Sequence, residues 1–387
     1  MKKTAARLGA VALTGALLFT GCGSMNPEAT LINITNGDEK DTISLGYGNF
    51  AARYTQALYD NYYGTYLSDD MWSEDLYGSG NTMEADTKDE VLETMEEEYV
   101  CKLHAADYSI ELTEEQTTAI SEAAASFMED NTEEALEEVG ATEEYVTDFL
   151  TYRTYASLVE AAVKAEAEDQ VEVTDEEKNQ STISYVLLPS TTTDDDGNET
   201  ALSDEEMEAL KVSAAEISAA SDFDAAVEAA GLTASTYSYT TTEDPADDET
   251  LDESVISAAQ ELSDGQVSAA ILVDGKGYYV VRMDATFDEE ATAEKETELH
   301  DEKVDEYYDN IIVEWEDAIT WEVEDKQWEK VTFSNLFTAP ATEEESSVST
   351  EDTTTDLIAG EESTEDTSSE ETTDDTSATE ETEETAE

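Results

Sequence analysis

The chain has 387 residues, 99 of them acidic and 17 basic, and its formal net charge at pH 7 is −82. Because nucleic-acid binding needs cationic surfaces and anionic membranes repel carboxylates, this charge excludes both as electrostatic partners. The length suits two or three domains of about 150 residues, and a hydrophobic share of 39% allows a core. His104 and His300 are the only histidines, which excludes most histidine-based metal sites and Ser-His-Asp catalysis. We therefore expect no metal and no cofactor.

Residues 1–22 have the pattern of a secretory signal peptide. A basic start precedes an apolar run at residues 8–19, which is too short to span a bilayer of about 30 Å. The run leads into Cys22 with spacing that resembles a bacterial lipobox, although Phe19 stands where leucine is usual. This resemblance implies that acyl chains such as palmitate on Cys22 anchor the mature chain to the outer face of the bacterial cytoplasmic membrane. The alternative is a plain signal peptide in which Cys22 is incidental.

Once Cys22 is lipidated, Cys101 is the remaining cysteine, so no intramolecular disulfide can form. Cys101 lies three residues before His104 on a predicted helix. A Cys-His catalytic pair needs a third, orienting group, and the sequence offers none nearby. We interpret Cys101 as a core residue, with the catalytic pair as the alternative.

Residues 23–180 are predicted to form a helical domain that opens with a β-hairpin. The hairpin strands, residues 31–35 and 43–45, flank an Asn36-Gly37 turn. Capping boxes and apolar stripes then predict helices over residues 49–66, 87–108, 113–128, 146–168 and from 174 onward.

Residues 181–287 are predicted to form a compact α+β domain. Its predicted elements are a strand at 182–188, helices at 203–220 and 222–230, a strand at 233–242, a helix at 254–262, and strands at 271–273 and 278–283. The acidic loop at residues 194–198 partly resembles a calcium loop. Because Thr192 and Ser203 break the EF-hand pattern, a solvated turn is the preferred interpretation.

Residues 288–339 are predicted to return to helix, from about residue 294 to 315, and to end in an apolar segment with Trp321, Trp328 and Phe333. Residues 340–387 consist mainly of Glu, Asp, Ser and Thr. Such a composition cannot offset an ordering entropy of about 1–2 kcal/mol per residue, so we predict a disordered acidic tail.

Residues 181–287 resemble a parvulin-type (PpiC-type) peptidyl-prolyl isomerase domain. The resemblance rests on the segments DFDAAV at 222–227, LSDGQVS at 262–268 and GKGYYVVR at 275–282. With a lipobox ahead and helices on both sides, residues 30–335 are laid out like the PrsA-type foldase lipoproteins of Gram-positive bacteria. The resemblance implies an α+β fold class: a helical chaperone-like domain, built from the N- and C-terminal segments, with an inserted parvulin-like domain and a disordered acidic tail.

The resemblance also implies a proline site. The family's two histidines fall on Tyr185 and Tyr279, and the apolar pair that cups the proline ring aligns with Leu251 and Val255. The family's Gly-Gly-x-Leu-Gly run is absent, and residues 235–248 stand in its place. Twisting an imide needs a dry pocket and hydrogen-bond donors, not a nucleophile, so tyrosine hydroxyls are compatible with weak isomerase activity. The alternative is two core tyrosines in a domain that has lost the activity.

Three functions fit these features. The first is a membrane-anchored extracytoplasmic folding factor that binds unfolded or newly secreted polypeptides. Tyrosines in the N-terminal domain would add contact area for such clients: Tyr47, Tyr54, Tyr59, Tyr62, Tyr63 and Tyr66. The second is a true isomerase acting on specific prolines, and the third is an acidic surface binding or spacer lipoprotein without folding activity. The sequence does not identify the oligomeric state.

Overall fold

The computed structural model describes residues 14–15, 25–63, 70–193, 199–248, 250–333 and 337–338. Several predicted features therefore lie outside the described residues: Cys22, Tyr66, the acidic loop at 194–198 and the tail at 340–387. Within the described part of the chain, no helix combines the length and the apolar character needed to cross a membrane.

The N-terminal part is a hairpin followed by helices. Its elements are β1 (Thr14–Gly15), β2 (Thr30–Asn36), β3 (Glu39–Ser44), α1 (Leu45–Tyr63), α2 (Met83–His104), α3 (Glu114–Asp130), α4 (Glu133–Val139), α5 (Glu143–Ala167) and α6 (Asp175–Lys178). The predicted hairpin is confirmed, and Gly37 has a φ of +60° in its turn, a conformation that favours glycine.

Side-chain caps determine where these helices begin. The capping box predicted at Thr113 is present, with Gln116 as its partner. The one predicted at Thr87 is wrong, because α2 begins earlier, where the Thr82 hydroxyl accepts a hydrogen bond from the Ala85 amide at 3.3 Å. Met83 is buried, so the apolar stripe of α2 extends one turn beyond its predicted start, and Thr87 lies inside the helix.

The middle of the chain is an antiparallel sheet with helices on both faces. Its elements are β4 (Gln180–Pro189), β5 (Thr191–Thr193), β6 (Glu199–Ala201), α7 (Asp204–Ala219), α8 (Phe223–Ala229), β7 (Ser235–Thr240), α9 (Glu253–Gln260), β8 (Ile271–Val273) and β9 (Gly277–Asp288). Four strands pair in the order β7-β4-β9-β8, and β5 pairs with β6. Because side chains alternate along a strand, Val186 and Val280 pack toward α7 and α8, while Ile183 and Val281 pack toward α9.

One long helix returns the chain to the N-terminal part. The last elements are α10 (Glu289–Asp317), β10 (Thr320–Val323), α11 (Asp325–Trp328) and β11 (Phe337–Thr338). β10 pairs with β2 to give the sheet order β10-β2-β3, and β11 pairs with β1. A helical unit is therefore built from both ends of the chain, and the α+β unit is inserted between its two parts in the sequence. This confirms the predicted α+β fold class.

The C-terminal segment completes the core of the helical unit. Trp328, Val331 and Phe333 are buried in the same cluster as the apolar side chains of α1 and α2. The Lys88 ammonium group of α2 donates hydrogen bonds to the carbonyls of Trp328 at 3.2 Å and Val331 at 2.8 Å. The predicted apolar closing segment is thus part of the N-terminal core.

Buried polar groups of α1 also bind this segment. Arg53 donates hydrogen bonds to the Glu138 carboxylate at 2.5 Å and to the Thr332 carbonyl at 2.9 Å. Asp60 accepts one from the Phe337 amide at 2.9 Å. Since a buried charge that loses its partner costs roughly 3–5 kcal/mol, these contacts hold the C-terminal residues against α1.

α10 packs against α2 through a mixed polar and apolar contact. Cys101 of α2 is fully buried, and burial raises the pKa of its thiol to about 12. It is therefore a core residue, as predicted, and not a reactive thiolate. The Tyr308 hydroxyl of α10 donates to the Glu97 carboxylate at 2.7 Å. His104 does not join Cys101 in a catalytic pair but stacks on Trp315, with 4.3 Å between ring centroids.

Glu98 makes the stability of the fold depend on pH. Burial raises the pKa of this carboxyl to about 7, although Arg153 of α5 donates a hydrogen bond to it at 3.2 Å. The folded state therefore keeps a proton that the unfolded chain releases near pH 4.5, and stability falls as pH rises from 4.5 through 7. We expect the free energy of unfolding, measured by urea denaturation, to drop by up to about 3 kcal/mol between pH 5 and pH 8.

Two variants on α2 test whether Glu98 causes this pH dependence. Glu98→Gln keeps an oxygen acceptor for Arg153 and should remove a large part of the fall above pH 5. The remainder belongs to Glu96 of the same helix, because burial raises the pKa of that carboxyl to about 7 as well. Glu90→Gln, at an exposed position of the same helix, should leave the pH profile as it is. A Glu98→Gln profile as steep as that of the unmodified chain would contradict the assignment.

Candidate functional site

The four predicted site residues meet on the face of the sheet that packs against α9. Tyr185 lies on β4, Tyr279 on β9, and Leu251 and Val255 lie just before and within α9; all four belong to one apolar cluster. The ring centroids of Tyr185 and Tyr279 are 6.1 Å apart, with 34° between the ring planes. Tyr185 pairs across the strands with Val281, so the two tyrosine rings approach each other diagonally.

These four residues differ in exposure. Tyr185 is half-buried, whereas Tyr279 and Leu251 are each 5% exposed and Val255 is completely buried. Tyr185 therefore offers the accessible ring surface of the site. Val255 supports Leu251 and Tyr279 from the core side and presents no surface to a ligand.

The Tyr279 hydroxyl remains protonated at neutral pH. Burial raises the pKa of this phenol, and the nearby Tyr185 and Asp252 raise it further. A protonated phenol can donate a hydrogen bond to a carbonyl oxygen. The site thus contains a neutral hydrogen-bond donor among apolar side chains.

Two tyrosines of β7 lie on the same face and were missed in the sequence. Tyr237 and Tyr239 come from a strand that pairs with β4, and the Tyr237 hydroxyl donates to the Asp248 carboxylate at 2.8 Å. We call this surface the tyrosine face; it consists of Tyr185, Tyr237, Tyr239 and Tyr279. The spacing of two residues between the β7 tyrosines is the pattern that could have placed them on one face.

Asp248 organises the loop that carries Leu251. Its carboxylate accepts hydrogen bonds from the Thr250 amide at 2.9 Å and from the Leu251 amide at 2.7 Å. Asp252 caps α9 by accepting from the Ser254 amide at 3.0 Å. Two carboxylates therefore hold the segment that borders the tyrosine face, in the region where the family's glycine-rich run is absent.

The opposite face of the sheet is a packing surface. Arg282 donates hydrogen bonds to Asp224 at 2.7 Å, to Asp284 at 2.6 Å and to the Ser184 hydroxyl at 3.1 Å. Its guanidinium also lies 5.1 Å from the centre of the Phe223 ring. Arg282 is thus engaged between β9 and α8, away from the tyrosine face.

The tyrosine face suits a reaction that proceeds by bond rotation. Isomerisation of a prolyl imide needs loss of amide resonance, which a dry surface and a positioned hydrogen-bond donor favour. Among residues 25–333, as far as they are described, no three His, Cys, Asp or Glu side chains are grouped to hold a metal ion.

Comparison with protein-family models matches residues 191–298 to the PPIC-type PPIase domain. Comparison with curated protein sequences gives no match. Similar solved structures include the foldase protein PrsA from Streptococcus pneumoniae, with 18% identity, 66% of this chain and 97% of that chain covered, and a TM-score of 0.28. They also include PrsA from Bacillus cereus, with 16% identity, coverage of 65% of this chain and 94% of that chain, and a TM-score of 0.27. A SurA-like chaperone from Campylobacter jejuni has 13% identity, coverage of 76% of this chain and 99% of that chain, and a TM-score of 0.24.

The matched residues include most of the candidate site. Leu251, Val255 and Tyr279 lie inside the range 191–298, and Tyr185 lies six residues before its start, on β4. Residues 191–298 are therefore similar to the PPIC-type PPIase domain, in agreement with the parvulin-type resemblance predicted from the sequence.

Proposed function

We propose that this chain is a membrane-anchored, extracytoplasmic folding factor whose PPIC-type domain binds prolyl segments of unfolded polypeptides on the tyrosine face. The observation that carries this is the PPIC-type match over residues 191–298, combined with the close approach of the Tyr185 and Tyr279 rings, the two positions that the sequence resemblance assigns to the proline site. The lipobox-like sequence before Cys22 supports the anchor. A Cys22→Ser variant should appear in the medium and not with membranes; retention on membranes would contradict the anchor.

The proposed domain organisation assigns a role to each part. Residues 1–22 direct export, residues 23–180 and 288–339 form the chaperone-like unit, and residues 181–287 form the PPIase domain. Residues 340–387 form an acidic tail without a role in folding. The division is supported by the separate apolar clusters of the two units.

In this proposal, the ring of the substrate proline packs on Tyr185 beside Leu251, since aromatic side chains supply large apolar contact areas. The Tyr279 hydroxyl donates to a carbonyl oxygen of the substrate and stabilises the twisted imide. A neutral hydrogen bond is about half as strong as a charge-assisted one. We therefore expect a modest rate enhancement.

The helical unit contributes part of the client surface. Tyr47 and Tyr54 are 6% and 3% exposed, so these two of the six tyrosines in the predicted contact surface belong to the core. Tyr62, Leu76 and Tyr77 are 51%, 41% and 59% exposed, on either side of residues 64–69 in the sequence. We assign client contact to these three exposed side chains.

Refolding of a protein limited by a cis-proline step tests the proposal. The uncatalysed phase takes roughly 10–100 s at 25 °C. We expect its rate to rise in proportion to the concentration of this chain and aggregation of the refolding protein to fall. A variant without residues 341–387 is the control and should retain both effects.

The other outcomes separate the alternatives. Reduced aggregation with an unchanged slow phase would leave a chaperone whose PPIase domain has lost its activity. No effect on either would contradict a folding factor and favour an acidic spacer lipoprotein.

A further inference from the structure

Carboxylates border the tyrosine face at both ends. Asp248 accepts the hydrogen bond of the Tyr237 hydroxyl at 2.8 Å. Asp252, at the start of α9, lies near enough to Tyr279 to raise the pKa of its phenol, and Glu243 acts in the same way on Tyr237. Hydrogen bonds from Ser254 lower the pKa of Asp252, which is therefore ionised at neutral pH.

Little positive charge offsets these carboxylates. Residues 181–287 contain three basic residues, namely Lys211, Lys276 and Arg282. Lys211 lies on α7, and Arg282 is bound to acidic partners between β9 and α8, so both belong to the opposite side of the sheet. Lys276, exposed in the turn before β9, is the cation that acts on Asp252. The tyrosine face therefore has an acidic border.

We propose that the tyrosine face selects prolyl segments with lysine or arginine beside the proline and disfavours acidic ones, an inference that rests on the proposed function of this face. A proline held at Tyr185 and Tyr279 brings its neighbouring side chains into the field of Asp248 and Asp252. These carboxylates attract a lysine or arginine neighbour and repel an acidic one. Proline-containing chains rich in basic residues are thus the preferred substrate class.

Three peptides that differ only in the residue before proline test this. They have the sequence Ala-X-Pro-Phe with X as Lys, Ala or Glu, and NMR exchange spectroscopy with the whole chain gives both cis–trans exchange and binding. We expect kcat/KM and affinity to fall in the order Lys, Ala, Glu, by about two- to fivefold at each step. The differences should shrink in salt, because the screening length falls from about 10 Å at 0.1 M to about 3 Å at 1 M.

Substitutions assign the preference to individual charges. Asp248→Asn and Asp252→Asn keep an oxygen acceptor for the loop amides. Each should lower the preference for lysine over glutamate, measured as the ratio of kcat/KM for the lysine peptide to kcat/KM for the glutamate peptide. Lys276→Gln should widen it. Glu216→Gln removes the same charge from an exposed position of α7, across the sheet, and should leave the preference unchanged.

The possible outcomes distinguish failure of the proposed charge preference from failure of the proposed function itself. Equal exchange and binding of all three peptides would overturn the specificity and leave the proposed function in place. So would an effect of Glu216→Gln as large as that of Asp248→Asn. Tighter binding of the lysine peptide without exchange would support the specificity and contradict isomerase activity. Absence of binding by every peptide would overturn both.

Discussion

Replacing Tyr185 and Tyr279 together with phenylalanine should lower kcat/KM for prolyl exchange by at least about tenfold, because the change removes the Tyr279 hydroxyl that donates to the substrate carbonyl, along with the neighbouring Tyr185 hydroxyl. Phenylalanine retains the ring packing, in which the two centroids are 6.1 Å apart, so the domain should remain folded. The slow refolding phase and exchange in Ala-Ala-Pro-Phe both measure the loss.

A control on the same face separates function from packing. Tyr239 is 3% exposed, and a hydrogen bond with the Ser181 side chain engages its hydroxyl within the sheet, so this group is not available to a substrate. Tyr239→Phe should keep the full exchange rate. If the Tyr185 and Tyr279 double variant also kept the full rate, both would be ordinary core tyrosines and the proposed site would be wrong.

Trp328→Ala should destabilise the helical unit by about 3–5 kcal/mol, the usual cost of truncating a buried aromatic side chain. Trp328 is 7% exposed, and the Lys88 ammonium lies 5.1 Å from the centre of its ring. Gly48 of α1 also lies against this ring, so the tryptophan contacts helices that precede it by more than two hundred residues. Urea denaturation followed by helical circular dichroism measures the change.

The effect of Trp328→Ala should be confined to the helical unit. Tyrosine resonances of the sheet are expected to persist at urea concentrations where the helical signal is lost. Val313→Ala is the control, because Val313 is 55% exposed on α10 and its truncation should change stability little. Equal stability of Trp328→Ala and the unmodified chain would contradict a helical core completed by the C-terminal segment.

Local chemistry predicted many of the elements. The Asn36-Gly37 turn and the capping box at Thr113 depend on residues within a few positions of one another. The pairing of β10 with β2 escaped prediction, because a strand of four residues has no recognisable pattern until its distant partner is known. The wrong start of α2 has a similar cause, since Thr82 and Thr87 are both suitable caps and burial of Met83 selects the first.

The candidate site also has a part that was predictable from the sequence and a part that depends on distant contacts. Tyr185 and Tyr279 were predicted from segments that resemble the family, and the structure places their rings 6.1 Å apart. Tyr237 and Asp248 were missed because their place depends on the pairing of β7 with β4 and on a loop whose sequence departs from the family. Where a segment lacks the family's pattern, the three-dimensional contacts alone show which side chains meet.

Titration of a prolyl peptide into the chain with isotope-labelled tyrosine rings tests the central claim most directly. Phenylalanine variants assign the resonances of Tyr185 and Tyr279, and Tyr62 and Tyr77 report on the helical unit. The account predicts saturable shifts of the Tyr185 and Tyr279 rings as peptide is added. Shifts confined to Tyr62 and Tyr77, with the sheet tyrosines unchanged, would contradict prolyl binding at the tyrosine face.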